Sequence, residues 1–423
     1  RLLQSIENQE KICIFADYDV DGTSSASLLI LWLKHFKIVP QLYIPDRVEE
    51  GYGPNLEAME ILSKKNELII CVDCGTVAFD AIEIANKNGA DVLILDHHIP
   101  DEILPPAFAI VNPKRRDGSN ELDYLCAAGV VFLFLASLGR LLRQRKISSP
   151  DIMNFLDLVA LATVADVVPL IKLNRALVSQ GLKVLAKRNR PGLVALIDEA
   201  NIKTQPTSYH LGYLLAPRIN AAGRLSDAKF AVNLLTATSN IDSIKIAQEL
   251  NKLNIKRRDL ENLVLNEALA QIEMDNKEKT SLIWVVSDKW HPGVIGIVAA
   301  RLKERFHLPS LVFSVDEKGI AIGSARSVPG INIGHEIKKL LDTGLLMSGG
   351  GHSMAAGIKV NHNLLVKSMT ALKTNIEKSY QGQQFRSIIE IDSLISVLGA
   401  TVDIVEEMNS VGPFGAGNPS PII

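Results

Sequence analysis

Short apolar runs that each end in an acidic residue, separated by stretches of helical periodicity, constrain this 423-residue chain more than any other feature. Lys11 to Ala16 reads as a buried strand and runs straight into Asp17-Tyr18-Asp19-Val20-Asp21-Gly22. Glu67 to Val72 leads into Asp73-Cys74-Gly75, and Ala90 to Leu95 leads into Asp96-His97-His98. Between these runs, Ser24 to Lys37 has helical spacing with Thr23 or Ser24 as its cap, and so does Ala78 to Asn88, with Gly89 at its C-terminus. Phe108 to Val111 reads as a fourth strand. Such alternation argues for an α/β fold with a parallel, doubly wound sheet, whose ligands bind beyond the carboxyl ends of the strands. The first three acidic motifs all fall at such ends.

Side chains alternate along extended backbone, so Asp17, Asp19 and Asp21 project to one side as far as the strand geometry persists, and Gly22 permits the turn into the helix. Like charges this close repel unless a divalent cation neutralises them. Asp166, after the apolar stretch Ile152 to Ala165, adds another acid, and His97 and His98 add imidazole. A mixed carboxylate and imidazole set suits manganese or magnesium better than structural zinc, which favours thiolates. Cys71 and Cys74 form a C-x-x-C with no second Cys or His pair at zinc-finger spacing, so they are expected to be core thiols.

A mostly helical region follows from Cys126 to Leu235, then a long polar helix over 240–274 suited to spacing two domains, then a second α/β unit from Ser281 to about Tyr380 with a strand at Leu282 to Val286. A further segment begins near Phe385 and carries Gly412-Pro413-Phe414-Gly415-Ala416-Gly417-Asn418-Pro419. The longest apolar run, Ala127 to Leu138, reads as too short to span a bilayer, and four irregularly spaced cysteines fit a reducing cytoplasm. A net charge of −2 does not announce a polyanion binder, although an acidic metal site distorts that count. The first residue is Arg1 and the chain stops mid-pattern at Ile423, which reads as a piece of a longer protein.

The ordered set D-Y-D-x-D-G, V-D-C-G, D-H-H and A-D-V-V-P resembles the DHH phosphoesterase superfamily. Three further stretches narrow the likeness to its RecJ branch of single-strand-specific exonucleases: Pro217 to Leu225 (P-R-I-N-A-A-G-R-L), Trp290 to Ile297 (W-H-P-G-V-I-G-I), and Gly349-Gly350-Gly351-His352 leading to Ala355-Ala356-Gly357. The resemblance implies a DHH domain over 1–239, a connecting helix over 240–275, a smaller DHHA1 domain over 276–380, and the start of a C-terminal OB-fold over 381–423. It implies two divalent cations, Mn2+ or Mg2+. Asp19 and Asp73 would hold one with Asp17 nearby, and Asp21, Asp73, His97 and Asp166 the other, so that Asp73 bridges. Asp96 would orient the adjacent His97, and His98 would face the scissile phosphate.

Arg218, Asn220 and Arg224, in a segment whose Pro217 and Gly223 disfavour a long uninterrupted helix, would grip the substrate, as would Ser324, Arg326, Gly350, Gly351 and His352 from the second domain. The implied activity is 5′→3′ hydrolysis of single-stranded DNA to mononucleotides in repair and recombination, in a cleft that admits one strand. A single-strand-binding protein and a repair helicase are the implied partners, with no membrane association and a monomeric state. Without most of its OB-fold the chain would bind DNA less tightly. Two other readings compete: a phosphodiesterase for very short RNA or cyclic dinucleotides, whose relatives are shorter and lack these stretches in this form, and a non-enzymatic replication scaffold, whose relatives lose metal ligands.

Overall fold

A computed structural model describes residues 1–47, 49–274, 280–380 and 390–423. Two compact units divide the chain, one of Arg1–Asn254 with Glu390–Ile423 and the other of Ile255–Ile389.

In the first unit, the apolar runs form a parallel sheet of β1 (Ile12–Ala16), β2 (Gln41–Tyr43), β3 (Leu68–Val72), β4 (Asp91–Leu95) and β5 (Ala109–Val111), in the order β2-β1-β3-β4-β5. Alternate residues of the central strands serve opposite faces, which is why the runs are apolar throughout rather than alternating. Ile12, Ile14, Leu68, Ile70 and Leu93 pack with the helices Val20–Lys34, Ala127–Gln144 and Leu156–Ala165. Cys13, Phe15, Ile69, Cys71, Val92 and Ile94 pack with the helices Leu56–Ser63 and Phe79–Lys87 on the other side. Cys71 and Cys74 are buried free thiols, as expected, and so are Cys13 and Cys126. The strand order reverses between β1 and β3, and a crevice at the carboxyl ends of two strands that diverge in this way is where such sheets bind ligands.

The first helix starts at Val20, four residues before its expected start, because the Asp19 side chain caps it by accepting from the Asp21 and Gly22 N–H groups. Thr23, Ser24, Ser25 and Ser27 are buried inside the helix instead; Thr23 and Ser27 return their hydroxyls to the carbonyls of Asp19 and Thr23. The helix Ala127–Gln144 is longer than the expected apolar run and, by length and composition, could cross a membrane; here Val130, Val131, Leu135, Leu138 and Leu142 are buried in the core of this unit.

The long polar helix is observed as Asn240–Met274. It is shared between the units: Ala247 and Leu250 belong to the core of the first, while Val264, Ala268 and Ile272 pack with Ile283, Val285 and Val298 of the second. The second unit has a mixed sheet of β6 (Ile283–Ser287), β7 (Ser310–Val315), β8 (Ile320–Arg326), β9 (Ser348–Gly351) and β10 (Ala355–Asn361), in the order β6-β7-β8-β10-β9. β6 and β7 are parallel and the other pairs antiparallel.

The expected domain boundary at 275–276 and the segment start near Phe385 lie outside the described residues. From Glu390 on, where an OB-fold was expected to begin, the described residues contain the helix Val402–Ser410 and an isolated Gly415–Asn418 bridge and no strand, and they group with the first unit.

Candidate metal centre

Every acid and imidazole singled out at a strand end comes together. Asp17 and Asp73 follow β1 and β3, the two strands at the switch point, and Asp96, His97 and His98 follow β4. Asp19 and Asp21 occupy the cap and first turn of Val20–Lys34, and Asp166 is the C-cap of Leu156–Ala165. Three groups have ligand atoms within 4.8 Å of one another: Asp17 with Asp19 and Asp73; Asp21 with His97 and Asp166; and Asp73 with His97 and His98. His97 Nε2 lies 3.3 Å from Asp73 Oδ1, 3.6 Å from Asp166 Oδ2 and 3.7 Å from Asp21 Oδ2, which ties the groups into one cluster.

The local backbone is built for this convergence. A Cβ on Gly22 would stand 2.5 Å from the Asp17 carbonyl oxygen, so only glycine lets the chain fold back over the first aspartate. Asp73 sits at φ +59° and Val167, beside Asp166, at φ +58°. Left-handed backbone is costly for a β-branched residue, and strain of this kind concentrates at functional sites.

The electrostatics show what kind of group the cluster suits. Burial, followed by repulsion from Asp19, raises the Asp17 carboxyl well above its ordinary range; burial and repulsion from Asp21, Asp19, Asp17 and Asp166 do the same to Asp73. Burial and the Asp19 charge push Asp21 to about 7 despite the Ala127 and Ala128 amides it accepts from at 2.6 and 2.8 Å. Burial with the charges of Asp21 and Asp19 takes Asp166 to about 9. His97 is driven to about 3 by burial and by the neighbouring His98 and Lys114 charges, which keeps its ring neutral, the state that ligates. Asp17 Oδ1, Asp73 Oδ1 and Asp166 Oδ2 are buried with no hydrogen-bond partner. Orphaned carboxylate oxygens facing one another, with one neutral imidazole and no thiolate, fit hard divalent cations.

Asp96 differs from its neighbours. Burial opposes its ionisation, but the hydrogen bond and charge of His98, with the Thr76 amide, outweigh this and hold it below the usual carboxylate range. Its Oδ1 accepts from the His97 and His98 amides and lies 2.7 Å from the His98 ring Nδ1. The ring that Asp96 orients is therefore His98, not His97 as expected; the turn after β4 directs that ring back onto the carboxylate. Burial would lower the His98 pKa, and Asp96 raises it instead.

Two residues were missed by sequence reasoning. The Tyr52 hydroxyl donates to the Asp73 carbonyl at 2.9 Å and lies 3.0 Å from His98 Nδ1. Asn112, buried just past the end of β5, donates to Thr76 Oγ1 and to the His98 carbonyl. Its strand-end position was the available signal; Tyr52, between two glycines of a loop, gave none.

Arg218, Asn220 and Arg224 lie on Ala216–Leu225, which continues a π-helical turn at His210–Leu215, so the expected break does not occur. Pro217 is tolerated in the first turn, and Gly223 sits where a Cβ would come within 2.7 Å of the Tyr18 carbonyl oxygen. Asn220 Oδ1 accepts from the Val20 N–H at 3.1 Å, fixing the first acidic motif. Arg218 bonds to Asn251 and to the Leu214 carbonyl, and Arg224 acts electrostatically on Tyr18.

In the second unit, Ser324 and Gly350 flank Gly357 in register across β8, β10 and β9, and Arg326 pairs with Ala355. Open space lies above Gly350 and Gly357. Arg326 donates to Ser324 Oγ at 3.1 Å, and Gly296 lets its helix approach both side chains. Gly351 pairs with Ala356 where no Cβ would fit, and exposed His352 follows it.

The family model of the DHH N-terminal domain matches residues 11–163, and that of the DHHA1 domain matches 278–378. The single-stranded-DNA-specific exonuclease RecJ of Dickeya dadantii is 34% identical over 99% of this chain and 76% of its own length. The chain belongs to the RecJ family. RecJ of Bacillus subtilis is 38% identical over the whole chain, which spans only 52% of that protein. The crystal structure of RecJ from Thermus thermophilus in complex with Mn2+ superposes with a TM-score of 0.86 at 28% identity, covering 99% of this chain and 60% of that one. RecJ from the same organism in complex with Mg2+ gives 0.75 at 26% identity, over 99% of this chain and 57% of that one.

Proposed function

We propose that this chain is the catalytic part of a metal-dependent exonuclease that hydrolyses single-stranded DNA to mononucleotides from the 5′ end. The observation that carries the reading is the convergence of five carboxylates and two imidazoles at the β1/β3 switch point, with buried carboxylate oxygens left unpartnered. Membership of the RecJ family, whose curated members are named for this activity, supports the substrate and reaction.

Asp17, Asp19 and Asp73 would hold one Mn2+ or Mg2+, and Asp21, Asp73, His97 and Asp166 the other. Bound there, the cations supply charge neutralisation at the phosphodiester and activation of a water for in-line attack. The chain's own residues do the rest. Asp73 would serve both cations and is locked by its left-handed backbone, by its N–H bond to the Leu95 carbonyl and by Tyr52 on its carbonyl. Asp21 is aimed by two amides at the start of Ala127–Gln144. Asp96 orients His98 and raises its pKa, which favours binding a phosphate oxygen or giving up a proton there.

Substrate contacts would come from Arg218, Asn220 and Arg224 on one unit and from Ser324, Arg326, Gly350, Gly351 and His352 on the other. Residues 1–239 are read as the metal-bearing domain, 240–275 as the connector, 276–380 as the substrate-binding domain and 381–423 as the beginning of an OB-fold. The wider reading is a cytoplasmic monomer that works in DNA repair and recombination beside a single-strand-binding protein and a repair helicase.

The test is degradation of uniformly labelled single strands in Mn2+ or Mg2+ with either end blocked. Mononucleotide release stopped only by the 5′ block is the expected result. Inertness on long strands with turnover of dinucleotides would transfer the assignment to a small-substrate phosphodiesterase.

A further inference from the structure

Three large side chains with apolar surface stand exposed, Val167 (70%) next to Asp166, Tyr209 (60%) and Tyr213 (71%). Scattered exposure of this kind is ordinary, but these three line one cavity of about 660 Å3. Val164, Ala165, Val167 and Val168, the residues on either side of Asp166, form one part of its wall, and the two tyrosines form another. The phenol rings are stacked, with centroids 5.0 Å apart and planes 27° from parallel. Gly212 permits a close approach: a Cβ there would press on Val164 Cγ1 at 3.2 Å, so the tyrosine-bearing turn packs tightly against the helix that Asp166 terminates. Among the described residues lining the cavity none is charged; the polar ones are Thr207, Ser208, Asn409 and Ser420.

An uncharged, π-faced recess beside a phosphate-hydrolysing centre fits the other half of a nucleotide. We propose that Tyr209 and Tyr213 are a stacking platform for nucleobases of the strand whose phosphate is held at the Asp166 group. The inference rests on the strand-hydrolysing reading above and adds to it a base site. Aromatic faces accept every base without reading its hydrogen-bonding edge, which suits an enzyme that must pass all sequences through one centre.

The test uses the full chain with dT12 and a series of dT12 oligomers carrying one abasic position each, in binding and in steady-state turnover. Tyr213→Ala is expected to weaken dT12 binding about tenfold and to raise KM with little change in kcat, while Tyr213→Trp restores both. On the oligomer abasic at the stacked position, wild type and Tyr213→Ala should bind alike. Equal losses on intact and abasic oligomers, or a change in self-association in place of DNA binding, would overturn the platform. Tyrosine- and base-dependent binding without cleavage would uphold it and refute the nuclease reading. Cleavage indifferent to both tyrosines would do the reverse.

Discussion

The Leu170 N–H donates to the Ala416 carbonyl at 2.6 Å, joining the loop after Asp166 to the glycine-rich stretch near the end of the chain. Ser208 Oγ bonds to the Phe414 carbonyl and Arg175 to the Val411 carbonyl, so the stretch is fastened on three sides. It thereby braces the strained turn that carries a metal-ligand candidate. Gly417 lies at φ +68°, and a Cβ on it would come within 2.9 Å of Pro169 Cβ. Gly417→Val should destabilise the first unit by about 1–3 kcal/mol and weaken one of two Mn2+ sites by more than the other. Calorimetric titration resolves the two; uniform weakening, or none, would count against bracing.

The metal-free protein should lose stability as pH rises. Asp21 and Asp166 have folded-state values raised from 3.8 to about 7 and about 9. A raised carboxyl contributes stability that is fully present below 3.8 and is lost as pH climbs through the folded-state value, because the folded chain binds more protons than the unfolded one in that window. The melting temperature of chelator-treated protein should therefore fall between pH 5 and 9 relative to an Asp21→Asn/Asp166→Asn variant, and the stabilisation by Mn2+ should grow over the same range. A metal increment independent of pH would contradict the shifts.

Gly22→Ala tests the fold-back over Asp17. The added methyl meets backbone atoms, not the yielding end of a side chain, so the start of the helix must move. A loss of about 1–3 kcal/mol in denaturant unfolding is expected, with the Asp17 and Asp19 cation site damaged as well. Wild-type stability with intact metal binding would show that the turn tolerates a side chain.

The sequence exposed this centre because acids stand where apolar runs stop: Asp17, Asp73, Asp96 and Asp166 all do so. What escaped depends on tertiary contact. Asp19 took the cap because the helix begins at Val20, which leaves Thr23 and Ser24 buried within it. β2, three residues long at the sheet edge, carries too little apolar pattern to be seen. Pro217 follows directly on the π-helical turn without breaking the helix, and Gly223 is explained only by Tyr18 above it. That Asp96 serves His98 depends on a turn no residue spacing specifies.

Asp96→Asn isolates that pairing. Without the carboxylate charge the His98 pKa should fall, kcat should drop about 10–100-fold, and the Mn2+ stoichiometry should stay unchanged. An unaltered pH–rate profile would mean that His98 takes no part in turnover.

The most direct measurement is Mn2+ titration of the full chain beside Asp73→Asn, with hydrolysis of a 5′-phosphorylated single strand followed in the same samples. Two Mn2+ per chain with turnover in the wild type, and loss of both tight binding and turnover in Asp73→Asn, is the expected result. One ion or none in the wild type, or an Asp73→Asn protein that still degrades the strand, would contradict a two-cation centre built around Asp73.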